Sequence, residues 1–208
     1  LGLSKRISQA DKGMREHDFF SRSGVTGNDI LGKTLGVIGL GQIGTRSAEI
    51  AKAFRMKVIA YDPYVSAEEC RARGTEKVEW ETLFSTSDYI TVHTPRSEET
   101  LNMINAAAFA MMKPTAYFIH TARGKVVDDK ALVDVLKEGR IAGAALDVYE
   151  NEPALTEGMI ELENLMLLPH IGSASHETRD KMADLVADNV LDALAGRSPR
   201  CLVPSWGK

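Results

Sequence analysis

Three polar residues in the second half of the chain are of types that together can reduce a carbonyl group next to a carboxylate. Arg123, Glu152 and His170 each come shortly after an apolar run. An arginine can bind a carboxylate through two parallel hydrogen bonds, and a histidine can give a proton to a carbonyl oxygen. A carboxylate beside that histidine stabilises its protonated form and raises its pKa. The three residue types therefore suit hydride transfer to a 2-oxo acid.

A glycine-rich segment supplies a candidate cofactor site. Gly39, Gly41 and Gly44 have the spacing G-x-G-x-x-G between an apolar run and a helical pattern, and Asp62 stands 21 residues after Gly41. The first glycine permits a tight turn, the second lets the backbone approach a pyrophosphate, and the third lets helix and strand pack closely. A carboxylate at Asp62 would bind ribose hydroxyls and repel a 2′-phosphate. The pattern predicts NAD rather than NADP.

Each of these residues also has an ordinary interpretation. A glycine turn followed by a surface aspartate is common, and an arginine at a strand end is usually a solvated charge. A histidine between proline and isoleucine can be purely structural, and an acid before proline can cap a turn. Three such groups on one sheet edge together with a dinucleotide loop are much less expected by chance, and this favours the functional interpretation.

The remaining histidines carry weaker signals. His93 ends an apolar run and is expected to line the cofactor cleft, whereas His120 lies inside an apolar run and is expected to be buried packing. His17 and His176 lie in polar helical surroundings and are expected to be solvated. The pattern contains no cluster with metal-ligand spacing.

Short apolar runs alternate with helical patterns, which is typical of βαβ units. Most runs are continuously apolar, as expected for parallel strands covered on both faces. The predicted fold is α/β, a doubly wound parallel sheet of the Rossmann type, with its ligand sites at the carboxyl ends of the strands. The predicted strands are Leu35–Leu40, Lys57–Tyr61, Tyr89–Val92, Ala116–His120, Ala142–Leu146 and Leu165–Leu168. The predicted helices between them are Ile43–Phe54, Ala67–Arg73, Glu79–Phe84, Ala106–Met111 and Asp129–Glu138.

Composition restricts the class of protein. The 208 residues are 44% hydrophobic and 26% charged, with 25 basic and 29 acidic residues and a formal net charge of −4. This is an ordinary globular composition, and it gives no basic surface for nucleic acid or for an anionic membrane. No apolar stretch is long enough for a membrane span. Cys70 and Cys201 are far apart and form no C-x-x-C spacing, so a reducing, cytoplasmic location is expected.

Taken together, these segments resemble the D-isomer-specific 2-hydroxyacid dehydrogenase family. The matching segments occur in family order between about residue 30 and residue 175. They are residues 39–44 with Asp62, residues 92–95 with 99–100, residues 121–124, residues 143–148, residues 152–153 and residues 169–170. Residues 172–179 and 201–204 most resemble the glyoxylate/hydroxypyruvate reductase branch. His120 departs from the asparagine that is common in the family.

The resemblance implies a role for each site residue. Arg123 would bind the substrate carboxylate, His170 would be the general acid/base, and Glu152 would pair with His170. Asp147 would lie by the nicotinamide. The full set of cofactor contacts that it implies is Gly39, Gly41, Gln42, Ile43, Gly44, Asp62, His93, Thr94, Pro95, Thr100, Thr121, Ala122, Arg123, Asp147, His170 and Gly172. No residue is expected to bind a metal.

The resemblance also predicts a domain plan. Residues 1–30 would be an interdomain helix and linker, with a polar helix to about residue 20 and a linker over 21–32. Residues 31–174 would be the NAD-binding domain. Residues 175–208 would be a helix and tail returning toward a substrate lobe, with an apolar stripe left partly exposed. The chain begins without Met, and we expect that lobe to be largely absent from it.

The expected activity is NAD-dependent interconversion of 2-oxo acids and D-2-hydroxy acids. The partner would be a small acid rather than nucleic acid or membrane, and the family suggests a homodimer. Two alternatives stay open: 3-phosphoglycerate dehydrogenase, and an NAD-sensing interaction protein related to transcriptional corepressors. The 208 residues alone are also compatible with NAD binding without catalysis.

Overall fold

The computed structural model describes residues 1–19 and 24–202. The chain forms two compact units, residues 1–169 and residues 170–208. The first unit contains the whole β-sheet and six of the helices described here. The second contains one long helix. None of the helices in the described ranges has both the length and the apolar character that crossing a membrane requires.

The sheet of the first unit has seven strands, all parallel, in the order β3-β2-β1-β4-β5-β6-β7. The inner strands are rich in buried apolar residues, as expected where helices cover both faces. The strands are β1 (Thr34–Ile38), β2 (Lys57–Tyr61), β3 (Glu76–Lys77), β4 (Tyr89–Val92), β5 (Tyr117–His120), β6 (Gly143–Leu146) and β7 (Leu165–Leu167).

One helix of the first unit precedes the first strand, and each of the other five connects two consecutive strands. Side chains of Ser66, Asn105 and Asp128 cap the starts of three of these helices. Such caps satisfy backbone N–H groups that have no partner inside the helix. The helices are α1 (Ile7–Arg15), α2 (Gln42–Ala53), α3 (Ala67–Ala72), α4 (Trp80–Thr86), α5 (Ala106–Ala110) and α6 (Asp129–Lys137).

Two apolar cores lie on the two faces of the sheet. The larger one packs Phe118 of β5 against Phe109 of α5, with ring centres 5.2 Å apart, and also contains Leu132 of α6. The smaller one joins Val37 of β1 to Ala48 of α2. Consecutive residues of a strand face opposite sides of a sheet, so β1, β4 and β5 each contribute to both cores. The carboxyl ends of the strands are therefore held on a rigid support.

The predicted fold class is confirmed, and all six predicted strands are present. Strand β3 was missed because it is a two-residue edge strand with polar residues. The first strand ends at Ile38 rather than Leu40, because Gly39 already turns the chain with a φ of 87°. Leu168 likewise lies beyond the end of β7. The predicted domain plan stays a prediction.

The predicted polar helix near the amino terminus is shorter than expected, since α1 ends at Arg15. Part of the predicted linker, residues 21–23, lies outside the described residues. Residues 24–32 form neither helix nor strand.

In the second unit, helix α7 runs from His176 to Leu194 and begins with the hydroxyl of Ser175 accepting a hydrogen bond from the Thr178 N–H at 3.2 Å. None of its residues is buried. The predicted stripe is exposed as expected: Met182, Leu185, Val186, Val190 and Leu194 are 39–81% exposed.

Asp88 joins the amino ends of three strands. Its carboxylate accepts hydrogen bonds from the Thr34 N–H at 2.9 Å and from the Lys113 ammonium at 3.1 Å. Its backbone carbonyl accepts one from the Tyr117 N–H at 2.9 Å. Burial opposes ionisation of this carboxyl, but the bonds from Thr34 and Lys113 outweigh burial and hold its pKa below the usual value. Asp88 therefore holds the amino ends of β1, β4 and β5 next to one another.

We expect Asp88→Ala to lower the free energy of unfolding by about 2 kcal/mol, because it leaves the Thr34 N–H without its acceptor. Asp88→Asn keeps a carbonyl acceptor and loses only the charge, so its loss should be about half as large. Urea unfolding at neutral pH measures both variants. Equal losses for the two would show that the Thr34 bond contributes nothing.

Candidate active site

The glycine loop connects β1 to α2 at the carboxyl edge of the sheet. Gly39 turns the chain, and helix α2 begins at Gln42 after Gly41. No side chain caps this helix, so the loop offers backbone N–H groups together with the positive end of a 12-residue helix dipole. Such a terminus is a ready-made site for a phosphate group.

Two glycines of this loop differ in what surrounds them. A Cβ atom on Gly44 would lie 2.0 Å from the Gly39 carbonyl oxygen, so the contact between helix and strand leaves no room for a side chain. A Cβ atom on Gly41 would meet no atom within 4 Å. The structure therefore requires glycine at 44 for packing, while glycine at 41 keeps the loop surface open. An open backbone surface at a helix terminus fits the pyrophosphate of a dinucleotide.

Asp62 lies directly beside the glycine loop. Its carboxylate accepts hydrogen bonds from the Leu40 N–H at 2.8 Å and from the Tyr64 N–H at 2.9 Å. The predicted acid thus stands at the end of β2 and also anchors the loop. Arg73 donates a hydrogen bond to the Leu40 carbonyl oxygen, so a cation that sequence reasoning missed contacts the same loop.

A cavity of about 490 Å³ opens beside the start of α2. Its walls are formed by the loop backbone together with two arginines and one glutamate, among other residues. Its lining residues are Gly41, Gln42, Thr45, Arg46, Glu49 and Arg73.

The segment after β4 lies against the glycine loop. A Cβ atom on Gly39 would approach the His93 carbonyl group to 3.0 Å, which shows how close the two segments are. The Thr100 hydroxyl donates a hydrogen bond to the Pro95 carbonyl oxygen at 2.7 Å and so closes the turn after Thr94. The predicted contacts His93, Thr94, Pro95 and Thr100 therefore belong to one structured turn at the edge where the cofactor is expected.

Two histidines lie at the ends of β4 and β5: half-buried His93 directly follows β4, and buried His120 is the last residue of β5. Burial lowers the pKa of His93 to about 4, and its Nε2 lies 3.1 Å from the Thr91 hydroxyl. Burial likewise lowers the pKa of His120 to about 4. His120 is 1% exposed, and its Nε2 lies 3.0 Å from the Arg123 carbonyl oxygen. His120 is thus buried as predicted, and it also holds the turn that carries Arg123.

The turn after β5 presents Arg123 to solvent. Thr121 is exposed and Ala122 is buried. The Arg123 guanidinium donates a hydrogen bond to the Ala122 carbonyl oxygen at 2.7 Å, and the Arg123 carbonyl oxygen accepts one from the Val126 N–H at 3.4 Å. The exposed guanidinium keeps further donors for a carboxylate.

The loop after β6 carries Asp147 and Glu152. Asp147 is 3% exposed, and its N–H donates to the His120 carbonyl oxygen at 2.9 Å. Glu152 is exposed, and its carboxylate accepts a hydrogen bond from the Tyr149 N–H at 2.9 Å. Buried Asp129, at the start of α6, holds the same loop by accepting from the Glu150 N–H at 2.9 Å.

The turn with Arg123 and the loop with Glu152 touch each other. A Cβ atom on Gly124 would lie 1.9 Å from the Tyr149 carbonyl oxygen, so the two backbones are in direct contact. The first unit therefore brings together the glycine loop, Asp62, the turn after β4, Arg123, Asp147 and Glu152 at one edge of its sheet.

His170 and Gly172 belong to the second unit. His170 is exposed and adopts a positive φ of 54°. Gly172 is exposed as well, and the chain reaches α7 four residues later.

Comparison with known proteins identifies the family to which the chain belongs. Residues 1–172 match the family model described as D-isomer specific 2-hydroxyacid dehydrogenase, NAD binding domain. The chain belongs to this family, its fold is the NAD-binding Rossmann fold, and the cofactor of the domain is NAD.

The chain is similar to several named dehydrogenases and reductases. The chain is 44% identical over 210 residues to a glyoxylate reductase of Thermococcus litoralis, covering 98% of the chain and 63% of that protein. The crystal structure of a glyoxylate reductase from Paecilomyes thermophila superimposes with a TM-score of 0.90 at 32% identity, covering 99% of this chain and 62% of that one. The D-lactate dehydrogenase of Aquifex aeolicus complexed with NAD and lactic acid gives a TM-score of 0.85 at 32% identity, covering 94% and 63%. The chain thus spans less than two thirds of these relatives.

The two glycines predict separable effects. Gly41→Ala should weaken NADH binding at least tenfold, about 1.4 kcal/mol, because the new methyl group occupies the surface that the pyrophosphate needs. Its unfolding temperature should stay at the wild-type value, since nothing lies within 4 Å of that position. Gly44→Ala should instead lower the unfolding temperature through its contact with the Gly39 carbonyl oxygen. NADH fluorescence titration and thermal unfolding check both. Unchanged NADH affinity in Gly41→Ala would contradict the assigned binding surface.

The lowered pKa values of His93 and His120 predict how stability depends on pH. Because the folded pKa values of His93 and His120, about 4, lie below the ordinary value of 6.5, the unfolded chain binds more protons between these limits. The free energy of unfolding should therefore fall as pH drops from about 6.5 to about 4, by at most about 3 kcal/mol for each histidine.

Denaturant titrations across this range measure the slope. His120→Asn should flatten it, whereas the control His17→Asn, at an exposed position, should not. A slope unchanged in His120→Asn would show that folding does not lower the pKa of His120.

Proposed function

We propose that this chain is the cofactor-binding part of an NAD-dependent oxidoreductase that interconverts 2-oxo acids and D-2-hydroxy acids, most like a glyoxylate/hydroxypyruvate reductase. The observation that carries the proposal is the direct contact between the Arg123 turn and the Glu152 loop, on the same sheet edge as the glycine loop. Membership of the family and the named relatives support the same activity.

The NAD site is formed by the strand ends nearest to β1. The N–H groups at the start of α2 would bind the pyrophosphate, and Asp62 would bind the adenosine ribose. Asp62 disfavours NADP, because a 2′-phosphate would meet its negative charge. Asp147, buried next to the Arg123 turn, would lie at the nicotinamide end. When bound, NADH supplies the hydride for reduction.

Substrate binding and proton transfer fall to three side chains. Arg123 would hold the substrate carboxylate and, through the same positive charge, polarise the neighbouring carbonyl group. His170 would donate a proton to the carbonyl oxygen during reduction and take it back during oxidation. Glu152 would favour the protonated form of His170. The Tyr149 N–H bond to Glu152 supports this role, since it holds the carboxylate in place.

The proposal extends to the setting of the enzyme. Two free cysteines fit a reducing cytoplasm, and the family resemblance supports a homodimer. We further propose a small 2-oxo or 2-hydroxy acid, rather than nucleic acid or a membrane, as the partner, in agreement with the mildly acidic composition. In the residues that the structure describes, no group of His, Cys, Asp and Glu could hold a metal ion.

The experiment that tests the proposal uses the complete polypeptide that carries this chain. NADH-dependent reduction of glyoxylate, hydroxypyruvate and 3-phosphohydroxypyruvate is measured side by side. We expect turnover of the first two, with His170→Ala lowering kcat by 10²- to 10⁴-fold because the proton donor is lost. His176→Ala is the matched control, since it removes another exposed histidine of the same unit. It should keep wild-type kcat.

Three other outcomes contradict the proposal. NADH binding without turnover of any oxo acid would favour an NAD-sensing interaction protein. Preference for the phosphorylated substrate would favour a 3-phosphoglycerate dehydrogenase. Wild-type kcat in His170→Ala would exclude this histidine as the general acid.

A further inference from the structure

Tyr149 contacts the turn that carries Arg123, the Glu152 side chain and Leu168, which stands near the end of the first unit. It stands in the loop after β6, is 7% exposed, and packs its ring into the larger core. Its N–H, its carbonyl oxygen and its hydroxyl each meet a different segment of the first unit. Sequence reasoning gave it no role.

The backbone of Tyr149 serves two of these contacts. Its N–H donates to the Glu152 carboxylate at 2.9 Å and so fixes the direction of that side chain. Its carbonyl oxygen lies against Gly124, where a Cβ atom would be only 1.9 Å away. Gly124 directly follows Arg123, so the position of Tyr149 limits where the arginine turn can lie.

The hydroxyl of Tyr149 serves the third contact. It donates to the Leu168 carbonyl oxygen at 2.6 Å and lies 3.4 Å from the Leu146 carbonyl oxygen. Leu168 is the second residue before His170 in the chain. Burial raises the pKa of the phenol, with the Leu168 bond opposing this shift and nearby carboxylates adding to it, so the hydroxyl stays protonated and donates throughout the working pH range. The bond therefore holds the Leu168 backbone in place at the end of the first unit.

We propose that Tyr149 is a positioning residue for the proposed reaction. It holds the Arg123 turn and the Glu152 carboxylate through its backbone, and Leu168, two residues before His170 in the chain, through its hydroxyl. This inference rests on the proposed function, because it assumes that those three residues act on the substrate. Positioning matters because small displacements of a general acid from its reaction geometry reduce rates strongly.

Replacing the tyrosine by phenylalanine separates positioning from packing. Tyr149→Phe keeps the ring in the core and keeps both backbone contacts, and it removes only the hydrogen bonds of the hydroxyl to the Leu168 and Leu146 carbonyl oxygens. We expect kcat for the oxo acid to fall 5- to 20-fold, because the chain before His170 is no longer fixed. The KM for the oxo acid and the Kd for NADH should stay within twofold of wild type, since Arg123 and the glycine loop are not altered.

A matched control is available in Tyr117→Phe. Tyr117 is buried to the same degree, 8% exposed, and its hydroxyl accepts one hydrogen bond from the Asn28 amide at 2.8 Å. It begins β5, at the end of the strand opposite to Arg123. This variant also loses one hydroxyl and one side-chain bond, so it should show a similar change in unfolding temperature with wild-type kcat.

Gly124→Ala tests the contact on the carbonyl side. The new methyl group must push the arginine turn away from the Tyr149 carbonyl oxygen, so the main effect should be a rise of at least tenfold in the KM for the oxo acid. All rates are measured well below the unfolding temperature of each variant. A kcat effect in Tyr149→Phe and a KM effect in Gly124→Ala are the pattern expected of positioning.

The outcomes keep the two proposals apart. If His170→Ala abolishes turnover while Tyr149→Phe behaves like Tyr117→Phe, the positioning role is wrong and the proposed function stands. If His170→Ala and Arg123→Lys both keep wild-type turnover, the proposed function itself is wrong. Equal losses of kcat in Tyr149→Phe and Tyr117→Phe would assign the effect to a general loss of stability and would also overturn the positioning role.

Discussion

The parallel pairing of β1 with β2 on one side and with β4 on the other is the constraint on which the cofactor site depends. Parallel strands bring all their carboxyl ends to one edge. The connection after β1 leads to β2 on one side, and the connection after β3 returns the chain to β4 on the other side of β1. The glycine loop, Asp62 and the turn after β4 are neighbours for that reason. The same rule places the Arg123 turn and the Glu152 loop next to one another at the ends of β5 and β6.

Contacts between backbones, rather than long side chains, hold these segments together. Gly44 lies against the Gly39 carbonyl, and Gly124 lies against the Tyr149 carbonyl. Buried polar groups then satisfy the carbonyl and N–H groups that such turns leave over, as His120 does for Arg123 and Asp129 for Glu150. The exposed side chains of Arg123 and Glu152 thus extend from backbone segments that have little freedom to move.

Sequence reasoning could identify the parts of the site that follow from local pattern. The glycine spacing with Asp62 and the polar residues after apolar runs predicted which segments meet at the sheet edge. It could not identify Tyr149, Asp129 or Arg73, because their partners are 19, 21 and 33 residues away in the chain and the contacts exist only after folding. It missed β3 because a two-residue edge strand with polar side chains has no apolar run.

Asp62 has both carboxylate oxygens engaged by backbone N–H groups of its own neighbourhood. The proposed ribose acceptor is therefore oriented before any nucleotide arrives, and binding does not have to bear the entropy of ordering it. The same arrangement couples cofactor selectivity to the integrity of the glycine loop. An aspartate replaced to admit a 2′-phosphate would also leave the Leu40 N–H without its acceptor, so redesign of this domain toward NADP must supply a second acceptor for that group.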